Sequence, residues 1–193
     1  MGIHEIFESY QGTGFWTGAR QLFVRTSGCS VACPIRGQCD EQAALTQNNN
    51  IDLAKACAAI SQYRGKWLHI TGGEPLHDMQ QLGQLIAAAG HCSVQVQTSG
   101  LIDYRPYGDV WVTCSPKCVA AECKLTRCSE LVFVAHATMS SRIIEDYCKL
   151  FPHARIYVVP LWGDPPQRAC ELVDAAGGRA VLGIQAHKYW GLK

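Results

Sequence analysis

The stretch KWLHITGGEPLHDMQQLGQLIAAAG (Lys66–Gly90) holds a strand, a turn and a helix in succession. KWLHI (Lys66–Ile70) is short and apolar, as in a buried strand, and the glycine turn TGGEP (Thr71–Pro75) follows it. DMQQLGQLIAAAG (Asp78–Gly90) has apolar residues at helical spacing and closes on a glycine. This order predicts a βα unit, from which parallel sheets are built.

The same alternation extends in both directions from this unit. RQLFVRT (Arg20–Thr26) is a strand candidate, and DLAKACAAISQY (Asp52–Tyr63) is a helix candidate with Asp52 placed to cap its first turn. The later strand candidates are SVQVQ, DVWVTC, ELVFVA, ARIYVV and RAVLGIQ, and the later helix candidates are Thr138–Leu150 and Pro165–Gly178. Six or seven such strands predict an α/β fold with a mainly parallel sheet and right-handed crossovers. Periodicity alone fits both an open doubly wound sheet and a partial barrel.

Bulk composition narrows the class of protein. A chain of 193 residues predicts a single domain over residues 1–193. The net charge of +1 gives no electrostatic case for binding nucleic acid or an anionic membrane surface. The N-terminal MGIHEIFESYQG lacks the pattern of a secretory signal, and no apolar run approaches the roughly 20 residues of a membrane helix. We therefore expect a cytoplasmic protein.

Eleven cysteines are the main departure from ordinary composition. An odd number in a chain of this length, with no export signal, makes a disulfide scaffold a poor explanation. Three of them, Cys29, Cys33 and Cys39, lie within GCSVACPIRGQCD (Gly28–Asp40). Thiolates are soft ligands, and three on one loop fit an iron–sulfur cluster that leaves one iron open to a small molecule. Neighbouring buried thiols or an incidental zinc site are the alternatives.

The unusual motifs all follow predicted strands. The cysteine segment, TGGEP (Thr71–Pro75), TSG (Thr98–Gly100) and SPK (Ser115–Lys117) each come directly after one. Because ligands collect at the carboxyl ends of parallel strands, we expect these four motifs to crowd onto one edge of the sheet. The glycines of TGGEP expose main-chain groups beside a carboxylate, which can hold an ammonium group. A tight strand-to-helix turn with no ligand is the alternative for that motif.

Together these motifs resemble the 7-carboxy-7-deazaguanine synthase family of radical S-adenosylmethionine (SAM) enzymes. Glu5–Cys29 is similar to the family's opening stretch, and ITGGEPL, QTSG, WVTCSPK and QAHKYWGLK follow in the family's order. The resemblance covers nearly the whole chain and is weakest at Cys118–Arg127 and Pro160–Gln167. It implies a partial (β/α) barrel, a trimmed radical SAM core with six to seven mostly parallel strands.

The resemblance also implies the cofactors and the residues that hold them. A [4Fe–4S] cluster would sit on Cys29, Cys33 and Cys39, and the amino and carboxylate groups of SAM would chelate its fourth iron. One electron from the cluster would cleave SAM to a 5′-deoxyadenosyl radical, with no catalytic side chain beyond the cluster and SAM. The residues implied for SAM are Gly72, Gly73 and Glu74 at its amino group, Thr98, Ser99 and Ser115 at its polar parts, and Lys117.

The implied reaction converts 6-carboxy-5,6,7,8-tetrahydropterin to 7-carboxy-7-deazaguanine with loss of ammonia, in queuosine- or archaeosine-type 7-deazapurine biosynthesis. Arg25 suits the substrate carboxylate, because a guanidinium pairs with it through two parallel hydrogen bonds. The other substrate candidates are Gln11, Gly12, Thr13, Gly14, Asp40, His187 and the carboxylate of Lys193. For Gln11 and His187 a satisfied core polar group is the alternative. The implied partners are a flavodoxin- or ferredoxin-type electron donor and a second copy of the chain.

The chain departs from the family pattern at four places. Five residues, PIRGQ (Pro34–Gln38), separate Cys33 from Cys39 where the family usually has two, and we expect this insert to bulge as a turn. Thr13 and Gln97 stand where the family has glutamates. Glu41 replaces a threonine associated with Mg²⁺, so this carboxylate is a candidate Mg²⁺ ligand.

Two function alternatives stay open from the sequence. One is another radical SAM reaction on a related pterin or purine, and the other is a non-catalytic binding protein on the same fold. A separate question concerns four thiols in fifteen residues, which either form a second metal site or stay free. These are Cys114, Cys118, Cys123 and Cys128.

Overall fold

A computed structural model describes residues 2–39, 42–46, 51–104 and 108–193. Within these ranges, eight strands form one sheet in which each strand lies beside its neighbours in sequence order. The strands are β1 (Ile3–Tyr10), β2 (Arg20–Thr26), β3 (Trp67–Gly72), β4 (Ser93–Thr98), β5 (Val110–Cys114), β6 (Glu130–Ala135), β7 (Arg155–Pro160) and β8 (Ala180–Leu182). β1 is antiparallel to β2, and all later pairs are parallel.

The helices connect the parallel strands. They are α1 (Gln42–Thr46), α2 (Leu53–Gln62), α3 (Met79–Ala89), α4 (Ser141–Leu150), α5 (Gln167–Ala175) and α6 (Ala186–Trp190). The side chain of Asp52 accepts a 2.8 Å hydrogen bond from the Ala54 amide, and so begins α2 where the sequence predicts. Within the described ranges the longest helix, α3, has 11 residues, and none combines the length and apolarity needed to cross a membrane.

Strand order decides between the two architectures that periodicity left open. A doubly wound sheet reverses its strand order at a switch point, whereas this sheet runs β1 to β8 without reversal. Right-handed crossovers in one direction place the helices on one face and curl the sheet into a partial barrel. The predicted α/β partial barrel is confirmed, and β1 adds an eighth strand at its edge.

The two faces of the sheet have different chemistry. On one face, Val24, Ile70, Val96 and Val112 pair across β2–β5 and belong to the apolar core shared with the helices. Side chains alternate along a strand, so the adjacent positions point to the opposite, concave face. There Phe23, His69, Gln95 and Trp111 pair in the same register. The concave face is therefore polar and aromatic, as expected of a surface that lines a site.

Aromatic side chains close the end of the barrel where the parallel strands begin. The loop 11–19 carries Trp16, whose ring centroid lies 4.0 Å from that of Trp67, at the first position of β3. The Phe15 amide donates a 2.8 Å hydrogen bond to the buried carboxylate of Glu130, and burial raises the pKa of this glutamate. Gly14 has a φ of 77°, and a Cβ there would lie 2.8 Å from the Glu130 oxygens. Glycine is thus required at position 14, in the turn that positions Phe15 and Trp16; we call Trp16 and Trp67 the aromatic plug.

Candidate active site

A cavity of about 510 Å³ lies within the partial barrel and extends to the loops after β2–β5. It gathers residues predicted separately for the cluster, for SAM and for the substrate. The predicted residues that line it are Gln11, Gly12, Thr13, Arg25, Cys29, Cys33, Cys39, Gly72, Gly73, Thr98, Ser99, Ser115, Lys117, His187 and Lys193. Gly14 and Glu74 are not among its lining residues, and Asp40 and Glu41 lie outside the described residues.

The three predicted cluster cysteines all line this cavity. The insert between Cys33 and Cys39 forms a turn with a short 3₁₀ helix (Arg36–Gln38), in which the Arg36 amide donates to the Cys33 carbonyl over 3.2 Å. The Arg36 guanidinium donates to the Cys29 carbonyl over 3.2 Å. The five-residue insert is thus folded back on itself, and it leaves both flanking thiols facing the cavity.

These thiols match an iron–sulfur cluster in ligand type. All eleven cysteines belong to the described residues, and none of them forms a disulfide. As they stand, no three His, Cys, Asp or Glu side chains of the described residues are close enough together to hold a metal ion. What the fold supplies is three soft donors that line one cavity, and three thiolates are the donor type that a [4Fe–4S] cluster takes.

The glycine turn after β3 packs directly against the start of the cysteine loop. A Cβ at Gly73 would lie 1.7 Å from the Gly28 carbonyl oxygen. A Cβ at Gly72, whose φ is 118°, would lie 2.3 Å from backbone atoms of Thr26. The Gly73 amide also donates to the Thr26 carbonyl over 3.0 Å. Two glycines are therefore required here, because they let two backbone segments that face the cavity touch.

Glu74 lies behind this wall rather than on it. Its side chain is fully buried and accepts hydrogen bonds from the Thr98 hydroxyl over 2.8 Å, the Ser99 amide over 2.9 Å and the Leu76 amide over 3.2 Å. The carboxylate thus joins the turn after β3 to the turn after β4. In this structure it orients Thr98 and Ser99, which do line the cavity.

Lys117 is held by neighbouring backbone and side-chain groups. Its ammonium donates to the Ser115 carbonyl over 3.0 Å and to the Ser115 hydroxyl over 2.8 Å. Burial lowers the pKa of Lys117, and the nearby Cys33 thiol acts in the opposite direction. A cation therefore stands beside the cysteine loop, where it can offset negative charge.

The cavity has an excess of positive charge. Its described lining residues include five lysines and arginines but a single acidic side chain, that of Glu5; the cations are Arg25, Arg36, Lys117, Lys188 and Lys193. Glu5 accepts hydrogen bonds from Arg25 and from Lys193. Burial raises the pKa of Glu5, but these two cations outweigh that effect and lower it overall. The field in the cavity suits anionic ligands such as carboxylates.

The two ends of the described chain meet at the cavity. The Ala186 amide donates to the Gly12 carbonyl over 2.8 Å, and a Cβ at Gly12 would lie 1.9 Å from Nδ1 of His187. The Ser9 hydroxyl donates to the Lys193 carbonyl over 3.1 Å. The short helix α6 therefore sits on the end of β1 and brings His187 beside the predicted substrate residues of the N-terminal loop.

His69 is a cavity residue that the sequence analysis missed. It lies in the middle of β3 with 1% of its surface exposed, and its ring centroid is 4.9 Å from that of Phe23. Burial and the charge of Arg25 lower the pKa of His69 to about 3, so its imidazole is neutral at physiological pH. The available signal was a histidine within an apolar strand, two residues before Thr71.

The low pKa of His69 predicts an acid-sensitive fold. In the unfolded chain the His69 imidazole takes up a proton near pH 6.5, whereas in the folded chain it stays neutral until about pH 3. Between these values stability falls as pH falls, by roughly 1 kcal/mol per pH unit from this group. Urea unfolding from pH 7 to pH 4 should show a shallower loss for His69→Val than for the parent protein. Equal slopes would show that His69 has the same pKa in the folded and unfolded chains, and would contradict this prediction.

Three cysteines of the second group, Cys114, Cys118 and Cys123, lie near Tyr147. The Cys118 sulfur lies 3.4 Å from the Tyr147 hydroxyl. A hydrogen bond from Cys114 lowers the pKa of Cys123 to about 6, and burial raises that of Cys128 to about 12. Among the described residues these thiols show no arrangement that could hold a metal ion. They form a packed thiol cluster beneath the turns after β4 and β5.

Several known proteins with similar sequences carry the name 7-carboxy-7-deazaguanine synthase. No family model matches the chain. The 7-carboxy-7-deazaguanine synthase of Aquifex aeolicus is 27% identical over 173 residues, which are 83% of this chain and 77% of the relative. That of Methanospirillum hungatei JF-1 is 25% identical over 205 residues, covering 100% and 86%. That of Bacteroides thetaiotaomicron is 36% identical over 118 residues, covering 60% of each. The chain is thus similar to 7-carboxy-7-deazaguanine synthases over 83–100% of its length.

A solved structure gives the same result for the fold. The crystal structure of QueE from Escherichia coli matches with a TM-score of 0.71 at 24% identity, covering 96% of this chain and 94% of that one. Coverage of this extent means that the two chains share the fold over nearly their whole length. The partial-barrel fold implied by the ordered motifs is thereby confirmed.

Proposed function

We propose that this protein is a radical SAM lyase that converts 6-carboxy-5,6,7,8-tetrahydropterin to 7-carboxy-7-deazaguanine with loss of ammonia, within 7-deazapurine biosynthesis. One observation carries this proposal: residues assigned separately to the cluster, to SAM and to the substrate line a single cavity. The curated relatives that share its sequence pattern bear the name of this activity.

The cofactor side of the cavity would bind a [4Fe–4S] cluster and SAM. Cys29, Cys33 and Cys39 supply the thiolates, and the backbone of Gly72 and Gly73 offers polar groups beside them. When bound, these two cofactors supply a radical that removes one hydrogen atom from a substrate held nearby. The remaining contacts to SAM would come from Thr98, Ser99, Ser115 and Lys117, with Glu74 orienting the first two of these.

The substrate side would bind a carboxylated ring. Arg25 is the cation best suited to the carboxylate, since its guanidinium can pair with two oxygens, and its existing hydrogen bond to Glu5 fixes its position. Gln11, Thr13 and His187 would supply hydrogen-bond donors and acceptors toward the ring edge. The aromatic plug of Trp16 and Trp67 closes the far end and limits access of water to the bound ring.

Several finer parts of the proposal concern partners and organisation. We propose a reduced flavodoxin- or ferredoxin-type electron donor, a homodimer, a cytoplasmic location and a single domain over residues 1–193. Mg²⁺ bound by Glu41 stays a prediction, because Asp40 and Glu41 lie outside the described residues. If Glu41 binds Mg²⁺, added Mg²⁺ should raise the turnover of the parent protein and should have no effect on Glu41→Ala.

The proposal is tested by anaerobic reconstitution with iron and sulfide, followed by SAM, dithionite and the carboxytetrahydropterin. We expect 7-carboxy-7-deazaguanine by mass spectrometry, together with 5′-deoxyadenosine. Release of 5′-deoxyadenosine without conversion of the pterin would indicate a radical SAM enzyme with another substrate. Failure to take up iron would indicate a non-catalytic protein on the same fold.

A further inference from the structure

The position of His69 makes its side chain part of the cavity floor. It lies on the concave face of β3, in register with Phe23 of β2 and Gln95 of β4. Arg25, Thr71 and Gln97 lie one layer nearer the carboxyl ends of the same strands, and all three line the cavity with it. The imidazole therefore lies one layer below Arg25, on the side of the aromatic residues Trp16 and Trp67.

His69 is buried without satisfying its ring nitrogens. Neither Nδ1 nor Nε2 has a hydrogen bond of good geometry to any described residue, although the Gln97 side chain lies next to the ring. The neighbouring Gln95 differs, because its amide nitrogen donates to Thr113 over 2.9 Å and its oxygen accepts from Gln21 over 3.1 Å. An unpaired buried polar group costs about 1–3 kcal/mol. Of the two neighbours, His69 carries this cost and Gln95 does not.

The chemistry of the imidazole defines what would satisfy it. A neutral imidazole offers one N–H donor and one nitrogen acceptor, and Gln97 beside it offers an amide donor and a carbonyl acceptor. Both side chains are uncharged, and the charge of Arg25 opposes protonation of His69. A flat heteroaromatic ring with adjacent N–H and C=O groups matches this pair, whereas a second carboxylate or a bare cation does not.

We infer that His69 is a substrate-recognition residue that, together with Gln97, hydrogen-bonds the ring of a bound pterin-like substrate. This inference rests on the proposed function and assigns a further contact in the same cavity. It also explains why the fold keeps an imidazole at a position of β3 whose strand neighbours, Leu68 and Ile70, are fully buried apolar residues.

The test compares His69→Val with His69→Gln in the reconstituted full-length protein. The probe is 6-carboxypterin, a fluorescent oxidised analogue whose binding is followed by quenching under anaerobic conditions. We expect His69→Val to weaken binding about tenfold or more, which corresponds to ~1.4 kcal/mol. His69→Gln, which keeps a donor and an acceptor, should recover most of that loss. Iron content should match that of the parent protein in both variants, because His69 lies on β3 and not on the cysteine loop.

Stability measured without ligand separates recognition from a structural role. Because valine removes an unsatisfied polar group, the His69→Val protein should unfold at an equal or higher urea concentration than the parent. Weaker binding together with unchanged or greater stability supports the inference. Unchanged binding, or a parallel loss of stability and binding in both variants, overturns it.

The same titration separates this inference from the proposed function. If the parent protein binds 6-carboxypterin but forms no deazaguanine product, the proposed reaction fails while the comparison of variants still decides the role of His69. If the parent protein does not bind 6-carboxypterin at all, the inference is overturned as well.

Discussion

Cys39→Ala protein should lose its brown cluster absorption and its turnover after anaerobic reconstitution. Cys39 follows the five-residue insert, and it faces the same cavity as Cys29 and Cys33. Removing one of three protein ligands should cost more than the roughly 100-fold that loss of an outer-shell partner costs. Bound iron per chain, the visible spectrum and 5′-deoxyadenosine release measure the effect together.

The matched control is Cys170→Ala. Cys170 lies on α5, is only partly buried, and does not line the cavity. It should keep parent levels of iron and of SAM cleavage. Retention of the cluster in Cys39→Ala would show that the insert carries its flanking cysteine away from the site and that another group provides the third ligand.

Local sequence patterns were sufficient for the parallel part of the fold. The apolar strand KWLHI and the cap at Asp52 depend on neighbours within a few residues, and the structure places β3 and α2 where they predict. The edge strand β1 depends on a partner, since its residues Ile3–Tyr10 gain their pairing from β2. Such a strand carries little local signal, which is why the sequence analysis did not identify it.

The site shows the same division between local and tertiary information. Strand-end position alone predicted that the cysteine loop, Thr98, Ser99 and Ser115 would meet at one edge, and they do. The sequence could not show that Glu74 is enclosed by Thr98 and Ser99, because those partners come from another strand. His69 was missed for a related reason: its burial resembles that of a core residue until the cavity beside it is known.

Gly73→Ala tests the backbone contact between the glycine turn after β3 and the start of the cysteine loop. The added Cβ would lie 1.7 Å from the Gly28 carbonyl oxygen, and that atom belongs to a backbone held at its other side by the hydrogen bond from the Gly28 amide to the Ala44 carbonyl. Neither segment can yield as a flexible side chain would. The two backbone segments must therefore move apart, which lowers the free energy of unfolding by about 1–3 kcal/mol. SAM affinity should fall at least about tenfold, because the ligand contacts both segments.

Gly37→Ala is the matched control for this change, because it adds the same methyl group within the cysteine loop at a position where a Cβ would meet nothing within 4 Å. Its urea midpoint, iron content and SAM affinity should match those of the parent protein. Titration calorimetry with SAM under anaerobic conditions measures affinity in both variants, and urea unfolding measures stability. Parent-like affinity and stability in Gly73→Ala would mean that the two loops are not in contact in solution. The cysteine loop would then be positioned independently of the glycine turn, and the shape of the cavity would not depend on the contact between Gly73 and Gly28.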